Sequence, residues 1–477
     1  MLRRIPVWLA LVAASLPMFM ATLDNLVVTS ALPVIHEDIG ASVESLQWIT
    51  NAYTLAFAAL MLLAVGLGDR FGRRHVFIAG IAVFTAASAL AAMSTTPATL
   101  ILWRAVEGAG AAAIMPLSLT LLVGSVPNRL RSMAIGVWSG VSGLGVALGP
   151  LIGGAVVEGW NWQAIFWLNV PIGIVAIPLA LLALPNSLGA RLRADVVGVL
   201  LAGLGVLGAV FGIVRGNDAG WTSGQVLTAL IGGGVLLVAF VVWESRQSAP
   251  LLPLRFFRDR SFTLANLVAM TFSFGAFGSV FILIQFLQVV QGKTPLQAGV
   301  WTMPWTLAPM VVAPLISTIV PRVGTRVVLV AGMALLSGGL FEIAATMSRT
   351  VPFGTLLPGF LLAGIGMGLV FGPISTVVLS HMAPADHAKA SGANSTLREI
   401  GVALGIAVLT AVFTGAGGQL TPTGYVSAAQ PAVLVGAGVV ALSAILALFL
   451  PAGRGVAAEP VPAADALTPE PSPVPAA

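Results

Sequence analysis

Gly145-Val146-Ala147-Leu148-Gly149 and Gly401-Val402-Ala403-Leu404-Gly405 are the same five residues met twice, each inside an apolar run. Gly108 and Gly110 recur at that same offset as Gly364 and Gly366. The basic string Arg70-Phe71-Gly72-Arg73-Arg74 is answered, at nearly that offset, by Arg322-Val323-Gly324-Thr325-Arg326. One such match could arise by chance among glycine-rich helices. Three matches on corresponding segments point to a duplicated unit. Outward from each copy, apolar runs of roughly 17–25 residues follow one another, the length at which a helix crosses a ~30 Å hydrocarbon layer. About fourteen such spans are expected, from Val7–Leu32 to Ala432–Leu450.

Six spans make up each copy, and the seventh and eighth, Val196–Val214 and Val226–Val242, are an inserted pair. The expected fold is an all-α integral membrane protein: a six-helix bundle over residues 1–190, two inserted helices over 191–250, and a second six-helix bundle over 251–450. A tail rich in Pro and Ala, 451–477, is expected to be disordered and cytoplasmic. Composition demands lipid as the solvent. Hydrophobic residues make up 58% and charged residues only 8%, against about 45–50% and 25% in soluble domains. The charges needed to coat a soluble core of this size are missing. The absence of cysteine excludes disulfides, thiolate metal sites and cysteine nucleophiles. The apolar stretch after Arg3 and Arg4 is too long for a cleaved signal, holds Asp24 and has no small-residue cleavage site, so it is expected to stay as the first span.

The net charge of +5 is not a nucleic-acid footprint, because the bases are scattered over many short loops. Laid on the span map, Arg3, Arg4, Arg70, Arg73, Arg74, Arg129, Arg131, Arg191, Arg193, Arg246, Arg255, Arg258, Arg260, Arg322, Arg326, Lys389, Arg398 and Arg454 fall on one side. Arg215, Lys293 and Arg349 fall on the other. Cytoplasmic loops collect Lys and Arg, which puts both termini of a multi-pass cell-membrane protein in the cytoplasm. His381, Asp386 and His387 flank a cytoplasmic loop where solvation explains them better than a metal does. Trp8, Trp48, Trp160, Trp221 and Trp243 fall at span ends, as an interfacial belt requires.

Gly68-Asp69-Arg70-Phe71-Gly72-Arg73-Arg74 resembles the loop signature between the second and third spans of the major facilitator superfamily. Val65 stands where the signature's leading Gly usually does. The decade Gly145–Gly154, with Gly149, Pro150 and Gly153, looks like the fifth-span antiporter motif. Glycines four apart admit a close neighbouring helix, and Pro150 deletes one hydrogen bond and bends its own. Trp162–Pro171, Leu23-Asp24 with Ala31-Leu32-Pro33, and Pro250–Phe257 are similar to stretches of the fourteen-span drug:proton antiporters, the multidrug efflux branch of that superfamily. In the first-span motif, Leu26 and Thr29 replace the customary Thr and Asn. The resemblance runs from the first span to the thirteenth. It implies two six-span halves rocking about a midplane site. It also implies gating roles for Asp69, Arg70, Gly72, Arg73, Gly145, Gly149, Pro150 and Gly153, the loop acting as a cytoplasmic latch between halves.

Ionisable groups within a span cost at least ~2.5–3.5 kcal/mol, so each is a functional candidate. Asp24, Arg104 and Glu107 qualify, with Glu342 nearer a span end. Arg104 and Glu107 are three apart and share a helix face. The resemblance assigns proton coupling to the position of Arg104, while Glu107 replaces the family's usual Gln. The expectation is that Asp24 and Glu107 line one cavity and take up protons alternately with substrate, with Arg104 pairing Glu107. A purely structural bridge is the alternative. Asp24, Glu107, Trp301, Trp305 and Glu342 are the substrate-binding candidates, while Arg398 and Glu399 are expected at the interface in the first turns of span thirteen. The implied activity is proton-coupled export of amphipathic, cationic drugs by a monomer in the bilayer, with no cofactor, metal or nucleic acid. An exporter of lipids or neutral antibiotics and a non-transporting sensor are the rivals. No nucleophile, base and metal constellation supports an enzyme.

Overall fold

In lipid a spanning segment must satisfy every backbone group within itself, so each apolar run closes into a helix. The computed structural model describes residues 6–188, 195–247, 250, 252–380, 382 and 386–451. The helices are α1 (Val7–Ile39), α2 (Val43–Phe71), α3 (Arg73–Ala92), α4 (Pro97–Ser125), α5 (Arg131–Gly159), α6 (Ala164–Ala183) and α7 (Val196–Ala219). They continue as α8 (Gly224–Arg246), α9 (Arg260–Val290), α10 (Pro295–Val323), α11 (Thr325–Thr346), α12 (Phe353–Leu379), α13 (His387–Gly415) and α14 (Tyr425–Leu448). Among the described residues thirteen of these are long and apolar enough to span unaided. The other, α2, spans as a helix bent by 48° beyond Met61. Polar caps set the starts. Thr96 accepts from the Thr99 amide ahead of Pro97, and Thr294 and Gln297 form a reciprocal capping box at α10. Arg3, Arg4, Arg191, Arg193, Arg454, His381 and the tail from 452 lie outside the described residues.

The duplication is visible as packing. In the first half α1 lies against α5 and α6, α2 against α4, and α3 against α4 and α6. The same pairs recur in the second half as α9 with α13 and α14, α10 with α12, and α11 with α12 and α14. The halves meet along two seams, α5 against α10 and α2 against α13, which exchange under the same correspondence. Gly72 and Gly324, the matched glycines of the two basic strings, both adopt positive φ, 104° and 92°, where a side chain would be strained. The inserted α7 covers the second seam. Arg215 pairs with Glu44 of α2 at 3.0 Å, and Asn217 Nδ2 donates to the Ala411 carbonyl of α13 at 2.5 Å and to Thr414 Oγ1 at 2.7 Å. α8 packs on α7 and turns Ile231, Val235 and Val238 outward.

One end of the bundle carries the arginine strings and the other does not. At this far end the first seam is shut. Gly154 faces the backbone of Pro295 and Leu296, and Gly299 faces that of Pro150 and Leu151. Ser30 Oγ donates to the Pro150 carbonyl at 3.2 Å, and Gln288 Nε2 donates to the Ser30 carbonyl at 2.9 Å, tying α9, α1 and α5 together. Gly136, Gly140 and Gly143 extend the same α5 face toward the basic end. A Cβ at any of them would meet open space. The halves therefore touch at the far end and part toward the basic end.

Candidate functional site

The antiporter-like decade divides its small residues between two neighbours. Gly145, Gly149 and Gly153 face α1 at Thr22, Leu26 and Val27, whereas Pro150 and Gly154 face α10. One helix is thus packed at contact distance against both its own half and the other. Gly401 and Gly405 do the matching work in the second half, against Met270 and Phe274 of α9.

Held by this packing, the ionisable residues of the first half converge. Arg104 Nη1 of α4 donates to both Asp24 Oδ2 of α1 and Glu107 Oε2, the latter at 2.7 Å. Its Nε donates to the Ile49 carbonyl of α2 at 3.3 Å. Asn169 Nδ2 of α6 donates to Asp24 Oδ1 at 2.9 Å and to Ser88 Oγ of α3 at 3.0 Å. The guanidinium lies 4.4 Å from the centre of the Tyr53 ring, and the Tyr53 hydroxyl donates to the Ala21 carbonyl at 3.0 Å. Arg104 and Glu107 are 0% exposed and Asp24 2%. Two acceptors or donors stay unmatched, Glu107 Oε1 and Arg104 Nη2. One cation therefore faces two carboxylates in a nearly dry site.

Asp24 and Glu107 are brought together, but through Arg104 and not across a common cavity. Asp24 borders a cleft between α1, α5 and α6 with Asn169, Leu23 and Ile152. Glu107 borders neither this cleft nor the cavity between the halves. The pocket there holds about 20 Å³, and its wall is Leu26, Val146, Pro150, Ala276, Phe277, Val280, Trp305, Thr306 and Met367. Trp305 is the one aromatic candidate there. Trp301 lies toward the far end, against Phe353 at 4.8 Å and under the Lys293 ammonium at 4.4 Å. Glu342 is wedged against Gly359 in the α11–α12 seam. Asp69 pairs with Arg73 at 2.8 Å. Arg74 donates to the Leu181 and Leu184 carbonyls, Gly72 lies against Asn186, and Arg70 rests on Phe71. Every one of these loop contacts is within the first half; the latch partner across the gap is not among them.

Sequence reasoning missed Tyr53, Ser88 and Asn169. The available signal was their polarity: Tyr53 is one of two tyrosines in the chain, and Asn169 interrupts an apolar run. Arg398 and Glu399 need a correction. α13 begins at His387, so they lie ~16–18 Å along the helix and not in its opening turns.

A Major Facilitator Superfamily model matches residues 14–406. The chain belongs to this superfamily. Members are membrane transporters, not enzymes, and the fold follows. The chain is 35% identical over 407 residues to "Multidrug resistance protein Stp" of Mycobacterium tuberculosis (strain CDC 1551 / Oshkosh), covering 85% of this chain and 75% of that one. It is 33% identical over 429 residues to the "Tetracenomycin C resistance and export protein" of Streptomyces glaucescens, covering 89% and 79%. Among solved superfamily structures, the nucleoside transporter NupG superposes with a TM-score of 0.65 at 15% identity, over 93% of this chain and 100% of that one. The major facilitator architecture places the seams and cavity described above at the centre of a transporter.

Proposed function

We propose that the protein exports amphipathic drug-like molecules from the cytoplasm in exchange for protons. The observation that carries this is the charge count of the buried cluster: Asp24 and Glu107 against Arg104 alone. A buried net charge is expensive, and a single proton on either carboxyl makes the cluster neutral. The cluster bonds α1, α2, α4 and, through Asn169, α6 and α3. Its state can therefore bias how the first half is held. The basic end is the cytoplasmic one by the distribution of Lys and Arg, so the arrangement described above is open inward. One chain forms both seams, so a monomer suffices.

A second reading concerns cargo charge. No charged residue borders the pocket between the halves, which suits a neutral cargo; one relative is named as a resistance and export protein for an antibiotic, tetracenomycin C. A pocket of about 20 Å³ must widen to seat either cargo.

In everted vesicles with an inward-acidic pH gradient, wild type is expected to accumulate ethidium. Asp24→Asn and Glu107→Gln, each inserted at wild-type level, should lose at least tenfold of the gradient-driven component while still exchanging ethidium down its own gradient. Full gradient-driven accumulation in both variants would overturn the proton assignment.

A further inference from the structure

One proton neutralises the buried triad, and the hydrogen bonds around its two carboxyls decide which of them receives it. Asp24 has no oxygen to spare: Oδ2 accepts from Arg104 Nη1, and Oδ1 accepts from Asn169 Nδ2 at 2.9 Å. Glu107 is bonded at Oε2 alone, and its Oε1 has no partner. The difference originates away from the charges. Ser88 Oγ has one hydrogen and gives it to the Phe166 carbonyl at 3.0 Å. A carbonyl can only accept, so Ser88 must be the acceptor toward Asn169, whose Nδ2 donates to it at 3.0 Å. That fixes which way round the Asn169 amide stands, and the second Nδ2 hydrogen is left for Asp24. A proton placed on Asp24 would therefore leave a buried donor facing a hydroxyl hydrogen. On Glu107 Oε1 it displaces no donor. The Ser88 hydroxyl stands beside this carboxyl, and with one lone pair taken by Asn169 it keeps a second to accept from a protonated Oε1. Among the described residues, the charged or titratable side chains that face Glu107 are Asp24, Arg104 and Tyr53. The Tyr53 hydrogen is already given to the Ala21 carbonyl.

We propose that Glu107 is the proton-carrying carboxyl, protonated at Oε1, while Asp24 stays ionised as the counterion of Arg104, with Asn169 and Ser88 as the positioning residues that keep it so. Proton uptake then leaves an Arg104–Asp24 pair beside a neutral Glu107, and release restores two carboxylates on one guanidinium. Loss of either carboxyl stops this cycle, for different reasons. Glu107→Gln has no carrier. Asp24→Asn makes Glu107 the sole counterion of Arg104, so a proton there would leave the guanidinium buried and unpaired. The assignment rests on the antiport reading for what the proton drives, but the site of protonation can be measured without transport.

The test is infrared difference spectroscopy of the full-length protein in lipid, between neutral and acid buffer. Wild type is compared with Glu107→Gln, each with and without isotopically heavy carbon in the side-chain carboxyl of every glutamate. Acidified wild type is expected to gain a protonated-acid carbonyl band that Glu107→Gln lacks, and the label should move that band to lower frequency. A band that the label leaves in place would put the proton on Asp24 and overturn the assignment, and so would spectra that do not differ between the two proteins. In labelled Asn169→Leu, where Asp24 Oδ1 loses its donor, the band should divide into a moved and an unmoved component. Ser88→Ala, which frees the amide to turn, should do the same. A band still wholly moved in both would overturn the positioning roles. If the label result holds but wild type shows no gradient-driven ethidium accumulation, the export reading fails and the proton site stands. Accumulation with an unmoved band gives the reverse.

Discussion

Replacing Arg104 with leucine is expected to destabilise the protein by about 3–5 kcal/mol, because breaking a buried pair leaves its partners' charges uncompensated. Here the loss is doubled in kind. Arg104 holds both Asp24 and Glu107, and both side chains are at most 1% exposed. The same change also removes the guanidinium from the Tyr53 face and from the Ile49 carbonyl. Thermal unfolding of detergent-purified Arg104→Leu should show a large fall in midpoint. The combined Asp24→Asn, Arg104→Leu, Glu107→Gln variant should recover most of it, since the cluster then holds no charge. A single variant as stable as wild type would mean that the cluster is hydrated and its charges are not strongly coupled.

The second large effect is expected at Gly154, where the consequence is conformational. A Cβ there would lie 2.6 Å from the Pro295 carbonyl carbon and 2.7 Å from Leu296 Cα. Backbone cannot yield as the tip of a side chain can, so Gly154→Val should hold the first seam apart at the far end. Transport should fall at least tenfold while the protein still inserts. The natural chain contains no cysteine, so a single Ser30→Cys beneath that seam is a clean reporter. A membrane-impermeant maleimide added from the far side should label it in the Gly154→Val background and leave it largely unlabelled otherwise. Normal transport by Gly154→Val would contradict the role given to this contact.

Much of the architecture is legible in the residue string because its causes are local or periodic. Apolar runs of spanning length must be helices in lipid, and the recurrence of Gly145–Gly149 as Gly401–Gly405 exposes the duplication. The Arg104–Glu107 pair is equally local, a matter of three residues on one helix. The bond from Arg104 to Asp24 is not, because it joins α1 to α4 and no spacing rule connects them. Nor does any spacing say that α4 turns Glu107 into its own half, away from the cavity. The apolar run of span thirteen starts only at Ser391, which by itself places Glu399 in the first turns. The helix starts at His387 with polar residues, so Glu399 lies twelve residues along it and not in its opening turns. The face it occupies depends on how α13 meets α2, which only the folded chain determines.

Proton exchange is the central claim, and it is most directly tested by driving the cycle with cargo alone. Proteoliposomes holding the protein and an internal pH-sensitive dye would be loaded with ethidium and diluted into ethidium-free buffer at equal pH, with the membrane potential clamped. As ethidium leaves, protons should enter, so the interior should acidify with wild type and not with Glu107→Gln. Ethidium leaving through wild type with no change in internal pH would contradict antiport.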